Sequence, residues 1–108
     1  MSVTPITSST QYKEIIDGSK PVVIYFTAVW CGPGKRISPV LEELSNDPEN
    51  SGVDFYKVDV DELPDVAESV GITAMPTFIH FKRGARLTDM VGANEKQLKQ
   101  FVQKANPH

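Results

Sequence analysis

Val22-Val23-Ile24-Tyr25-Phe26-Thr27-Ala28-Val29-Trp30-Cys31-Gly32-Pro33-Gly34 is the stretch whose reading decides the fold. Val22 to Phe26 shows no polar alternation, the pattern of a strand buried on both faces of a parallel sheet. The Gly/Pro turn ends that run. Ile37, Val40, Leu41 and Leu44 then recur at helical spacing. A strand feeding a helix through a turn places Cys31, the only cysteine in 108 residues, at a helix N-terminus. Unpaired N–H groups and the helix dipole favour negative charge there. The thiol is therefore expected to be exposed, held toward its thiolate form and nucleophilic. The bland alternative is a buried cysteine acting as a small apolar residue. The turn Gly32-Pro33-Gly34 argues against it, because turn backbone needs water or partners.

Working outward, Val3 to Ile6 is a short strand candidate, with Pro5 pointing to a sheet edge. Ser8 and Gln11 read as a capping box. Tyr12, Ile15 and Ile16 form one apolar helical face, and Gly18 ends that helix. Downstream of the turn the helix runs from about Pro33 to Asn46, with a kink expected at Pro39. Residues 47–52 are a polar loop. Val53 to Asp59 reads as a strand, with Tyr56, Val58 and Val60 on one face and Phe55, Lys57 and Asp59 on the other. Asp61 to Val70 suits a short helix ending at Gly71. Phe78 to Phe81 is a buried strand, and Lys82-Arg83-Gly84-Ala85 turns it into a hairpin with Arg86 to Val91. Asn94 and Gln97 cap a last helix whose inner face is Leu98, Phe101, Val102 and Ala105. Asn106-Pro107-His108 is a tail. The order β-α-β-α-β-α-β-β-α, without repeats or linkers, makes residues 1–108 one domain compatible with an α/β sandwich. The order of strands in the sheet is left open.

Composition excludes several classes of function. The apolar fraction of 40% suffices for one core. A net charge of −3 gives no basic field for nucleic acid. No apolar run is long enough for a membrane span. The start, Met1-Ser2-Val3-Thr4-Pro5, shows neither a charged nor an apolar leader region, so a cytoplasmic location is expected. One cysteine permits neither an intrachain disulfide nor a four-cysteine zinc site. No His/Cys/Asp grouping has metal-ligand spacing, so no metal is expected. Asp59, Asp61, Glu62 and Asp65 read as structural carboxylates near a helix start. Lys35 reads as solvated, His80 as a satisfied core or edge histidine and His108 as tail.

Trp30-Cys31-Gly32-Pro33-Gly34 resembles the active site of the thioredoxin family, Trp-Cys-Gly-Pro-Cys, with Gly34 where the second cysteine stands. The resemblance extends over nearly the whole chain, through Pro39 and Met75-Pro76. It implies a thioredoxin fold: a three-layer α/β/α sandwich with a central mixed five-stranded sheet and four helices. It implies that Cys31 is the catalytic nucleophile within the motif Trp30, Gly32, Pro33 and Gly34. It implies that Met75-Pro76 is a cis-proline loop facing Cys31. Trp30, Ala74, Met75, Pro76 and Gly92 would then form the substrate-binding surface, the Met75 backbone pairing with an extended substrate segment. Tyr25 stands where the family usually has a buried aspartate resembling a proton acceptor for the second cysteine. A phenol, with a pKa of about 10, is no base at neutral pH. Lys57 matches a family lysine near that aspartate and is the expected partner of the Tyr25 hydroxyl.

Glycine carries no nucleophile, so internal resolution of a mixed disulfide, with an effective molarity of about 10⁵ M or more, is lost. Such a chain begins thiol–disulfide exchange and needs an external thiol to finish it. The expected function is a monothiol redox protein acting on protein disulfides or glutathionylated proteins, with glutathione as co-substrate and no bound cofactor. Thioredoxin reductase, the family's usual electron donor, reduces an intramolecular disulfide that this chain cannot form. Three alternatives stand beside this. One is a peptide- or protein-binding module using the same groove. Another is an iron–sulfur cluster shared between two subunits, as in monothiol glutaredoxins. The last is an engineered Cys-to-Gly trap of a dithiol thioredoxin. Tyr25, absent as a base just where the resolving thiol is absent, favours a natural variant over the trap. A monomer is expected, with a Cys31–Cys31 dimer on oxidation.

Overall fold

The structure is a computed structural model that describes residues 3–107; Met1, Ser2 and the expected tail residue His108 lie outside them. Its strands are β1 (Thr4–Pro5), β2 (Val22–Thr27), β3 (Asp54–Asp59), β4 (Thr77–Lys82) and β5 (Ala85–Val91). Its longer helices are α1 (Ser9–Asp17), α2 (Gly32–Asn46), α3 (Pro64–Val70) and α4 (Glu95–Ala105). The five strands form one sheet in the order β1-β3-β2-β4-β5. β1, β3 and β2 are mutually parallel, and β4 pairs antiparallel with both β2 and β5. The mixed five-stranded sheet and four helices implied by the resemblance are present.

β2 lies at the centre, which is why Val22 to Phe26 carries no polar residue. Val23 and Tyr25 point to a core shared with Phe55, Phe78, α2 and α4. Val22, Ile24 and Phe26 point to the opposite core, shared with Val58, Ile79, Phe81, α1 and α3. β3 divides its side chains between the two cores as alternation requires, Phe55 on one side and Tyr56 with Val58 on the other.

The caps follow the sequence closely. Ser8 Oγ accepts from the Gln11 N–H at 3.1 Å, and Asn94 Oδ1 accepts from the Gln97 N–H at 2.9 Å. Gln11 Oε1 reaches back to the N–H of Thr7, at 2.7 Å, rather than that of Ser8. The β4–β5 turn places Arg83 at φ 53° and Gly84 at φ 79°. Two successive positive φ values match the turn to the twist of its strands.

Three expectations are corrected. α3 begins at Pro64 rather than Asp61. Asp59 Oδ1 accepts the N–H groups of Asp61 and Glu62, at 2.8 and 3.3 Å, and holds them in a turn; Pro64 then enters at a position where no N–H is needed. Asn106 and Pro107 are not a loose tail. Asn106 Nδ2 donates to Asn50 Oδ1 at 2.6 Å, and the Pro107 ring packs where a Cβ on Gly52 would lie. Finally, His80 is a core histidine but not a satisfied one. It is 8% exposed, and its Nε2 has no hydrogen-bond partner among the described residues.

Burial, with a smaller contribution from Lys82, holds the His80 pKa below its ordinary value. The folded state therefore prefers neutral imidazole. The stability this contributes is fully present above the unfolded pKa of about 6.5 and is lost as pH falls through that value toward the folded one. The urea midpoint should be flat from pH 8 to 7 and fall below about pH 6.5. His80→Leu should remove part of that slope, seen in denaturation curves collected across the range.

Candidate active site

β2 ends at Thr27, and the chain turns through Ala28, Val29 and Trp30 before α2 starts at Gly32. The Cys31 N–H closes the turn on the Ala28 carbonyl at 3.0 Å. Cys31 is the N-cap of α2, and its Sγ accepts from the Gly34 N–H at 3.2 Å. This folds the thiol back over the first helical turn. Cys31 is consequently 4% exposed, contrary to the expectation of an exposed thiol. Its neighbours are the exposed ones: Val29 at 72% and Trp30 at 64%. Gly32 and Pro33 are also exposed, whereas Gly34 is buried.

Trp30 is fixed by a contact that no local pattern signals. Its indole Nε1 donates to Asp61 Oδ2 at 2.7 Å. The carboxylate read as structural thus orients the aromatic at the turn.

Tyr25 lies behind the thiol. Its hydroxyl donates to the Gly34 carbonyl at 2.7 Å, so Lys57 is not its partner; Lys57 is exposed, and the nearer backbone acceptor satisfies the phenol. The ring stacks on Phe78 with centroids 5.0 Å apart and planes 13° apart. Burial raises the Tyr25 pKa, partly opposed by a hydrogen bond with Thr27 and reinforced by the charge of Cys31. The phenol stays neutral and is no base at neutral pH. Thr27 was not singled out from the sequence, although it lies two residues from Tyr25 and so on the same face of β2. A cavity of about 300 Å³ opens beside this group, bordered by Tyr25, Thr27 and Gly34 and by two basic and two acidic residues, Lys35, Lys57, Asp59 and Glu62.

The Met75–Pro76 peptide bond is cis. β2 and β4 pair Phe26 with Thr77, so the residues just before Thr77 sit beside the end of β2 from which the Cys31 turn departs. Thr77 Oγ1 donates to the Ala74 carbonyl at 2.6 Å, and the Gly92 N–H donates to the Pro76 carbonyl at 2.9 Å. Ala74, Met75, Pro76 and Gly92 are therefore one tied loop pair. Gly92 has φ 108°, a backbone that a side chain would strain. Ala74 is exposed, Met75 half-buried and Pro76 buried. Among the described residues no group of three or more His, Cys, Asp or Glu could hold a metal ion, and no helix is long and apolar enough to cross a membrane.

A family model described as thioredoxin matches residues 3–104. The chain is 50% identical over 100 residues to a thioredoxin of Malassezia sympodialis, covering 93% of this chain and 95% of that protein. The crystal structure of Malassezia sympodialis thioredoxin (Mala s 13) superposes with a TM-score of 0.93 at 47% identity, over 96% of this chain and 90% of that one. A chain from a structure on thiol resolution in yeast mitochondrial 1-Cys peroxiredoxin via glutathione/thioredoxin systems superposes with a TM-score of 0.87 at 38% identity, over 95% of each chain.

Proposed function

The chain belongs to the thioredoxin family, and from that premise we propose that this thioredoxin-like redox protein works through Cys31 alone and is regenerated by an external thiol. One observation carries the reading. The only thiol caps a helix and accepts the N–H of Gly34, the residue standing where the family has its second cysteine. That contact holds the sulfur over the first turn of α2, against a residue that carries no second nucleophile.

The exchange balances in two steps. Cys31 thiolate attacks the protein-bound disulfide of a glutathionylated partner. A bond forms between Cys31 Sγ and the glutathione sulfur, and the partner leaves as its thiolate. A second glutathione thiolate then attacks that glutathione sulfur. It releases glutathione disulfide and returns Cys31 as thiolate. Val29 and Trp30 form the exposed rim around the buried thiol. A partner seated on them, with backbone pairing at Met75, brings its disulfide to a sulfur that bulk solvent hardly touches.

The test is turnover of a glutathionylated peptide with glutathione, glutathione reductase and NADPH. The reading expects a rate above the blank that is first order in protein, and no added disulfide reduction when thioredoxin reductase replaces glutathione. Reductase-driven turnover without glutathione would contradict it. The exposed apolar rim over a 4% exposed thiol also suits a binding module. Peptide retention that is unchanged in Cys31→Ser, with no turnover by either protein, would favour that second reading.

A further inference from the structure

We propose that Tyr25 and Thr27 close position 34 to any side chain, so that the site is built for one thiol and is not a two-thiol site with a residue missing. This deepens the monothiol reading and rests on it. A Cβ built on Gly34 would lie 2.6 Å from Thr27 Oγ1, 2.8 Å from Tyr25 Oη and 3.0 Å from Cys31 Sγ. Carbon needs about 3.5 Å or more for comfortable contact with heavy atoms. The backbone does not require glycine here, because positive φ among the described glycines is confined to Gly71, Gly84 and Gly92. The requirement is one of space.

The three blocking atoms are not equally able to retreat. Cys31 Sγ is held by the Gly34 N–H. Thr27 is β-branched on a strand, with few rotamers open to it. Tyr25 is the most firmly fixed. It is 2% exposed, its ring is stacked on Phe78, and its hydroxyl is tied to the Gly34 carbonyl at 2.7 Å. The hydroxyl cannot withdraw toward the neighbouring cavity without giving up that bond and shifting the ring off Phe78. Tyr25 is thus a positioning residue. It touches no substrate and acts through Gly34, leaving a mixed disulfide on Cys31 without an internal attacker. Restoring a cysteine at position 34 alone does not rebuild a dithiol site.

The sign of one substitution tests this. In a helix, Gly→Ala ordinarily raises the folding equilibrium by roughly two- to fivefold. Here Gly34→Ala should lower it by about ten- to a hundredfold, the range for overpacking. With both hydroxyls removed, in Tyr25→Phe/Thr27→Ala, the same substitution should become neutral or favourable. The lost Tyr25 hydrogen bond is common to both arms of that comparison and cancels. A redox readout goes further. Gly34→Cys and the triple variant Tyr25→Phe/Thr27→Ala/Gly34→Cys are equilibrated in glutathione and glutathione disulfide. Each intramolecular disulfide formed passes two electrons and two protons to one glutathione disulfide, which leaves as two glutathione molecules. Alkylation then counts the remaining thiols. The triple variant should form the bond at a glutathione disulfide level at least tenfold lower than the single variant. A Gly34→Ala protein more stable than the native chain would overturn the proposal. So would a single Gly34→Cys variant that oxidises as readily as the triple. If the triple variant does not fold, the alanine series alone decides. Neither readout uses peptide turnover, so failure of the glutathione-coupled activity and failure of this inference are separately visible.

Discussion

Cys31→Ser will abolish thiol exchange and leave the stability of the fold nearly unchanged or raised. The activity half follows from inventory, since no other thiol exists in the chain and a serine hydroxyl does not attack a disulfide at neutral pH. Turnover of the glutathionylated peptide should fall to the uncatalysed blank. The stability half follows from the cap. Cys31 Sγ accepts the Gly34 N–H at 3.2 Å as the N-cap of α2. Serine is among the preferred N-caps and its oxygen is the better acceptor. Little apolar surface is lost with one sulfur. The unfolding free energy should stay within about 0.5 kcal/mol of the native chain or rise, as for other N-cap exchanges. Calorimetry or urea denaturation reads this directly. A loss of about 2 kcal/mol or more, in the range for core deletions, would mean that the thiol is a packing residue, and the bland reading of Cys31 would stand.

Phe78→Ala is expected to cost about 3–5 kcal/mol of stability, by the range for buried aromatics. Phe78 has no exposed surface, pairs with Tyr25 across β2 and β4, and stacks on its ring. The stacking is worth about 0.5–1.5 kcal/mol beyond burial. Phe26→Ala is the matched control, being equally buried but in the opposite core. Both should cost similar amounts in urea denaturation. Only Phe78→Ala should give the Tyr25 ring room, and so only it should reduce the penalty of Gly34→Ala. Equal penalties in the two backgrounds would show that Tyr25 is not held in place by its stacking partner.

Much of this was legible in the sequence because it is local. The apolar run of β2 reports its central place in the sheet. Ser8 with Gln11 and Asn94 with Gln97 mark helix starts that the structure reproduces. Leu98, Phe101, Val102 and Ala105 all lie buried on the inner face of α4, as their spacing requires. What was not legible depends on contacts between segments distant in the chain. Lys57 looked a sensible partner for Tyr25, yet the phenol finds the Gly34 carbonyl across the β2–α2 turn. The Trp30–Asp61 bond joins two loops that only the β2–β3 pairing brings together. The burial of Cys31 was misjudged because turn residues are usually wet; here the side chain itself caps the helix and turns inward. The crowding around Gly34 is invisible to any pattern, since it depends on where two hydroxyls end up in three dimensions.

The most direct measurement is the lifetime of the Cys31 mixed disulfide. The protein is loaded with a disulfide-bonded peptide, freed of excess reagent, and followed by intact mass after rapid mixing with buffer or with glutathione. The account predicts one peptide per chain, persistence in buffer alone, and release at a rate proportional to glutathione concentration. Release at the same rate with and without glutathione would contradict it, because the chain would then be resolving its own mixed disulfide without a second thiol.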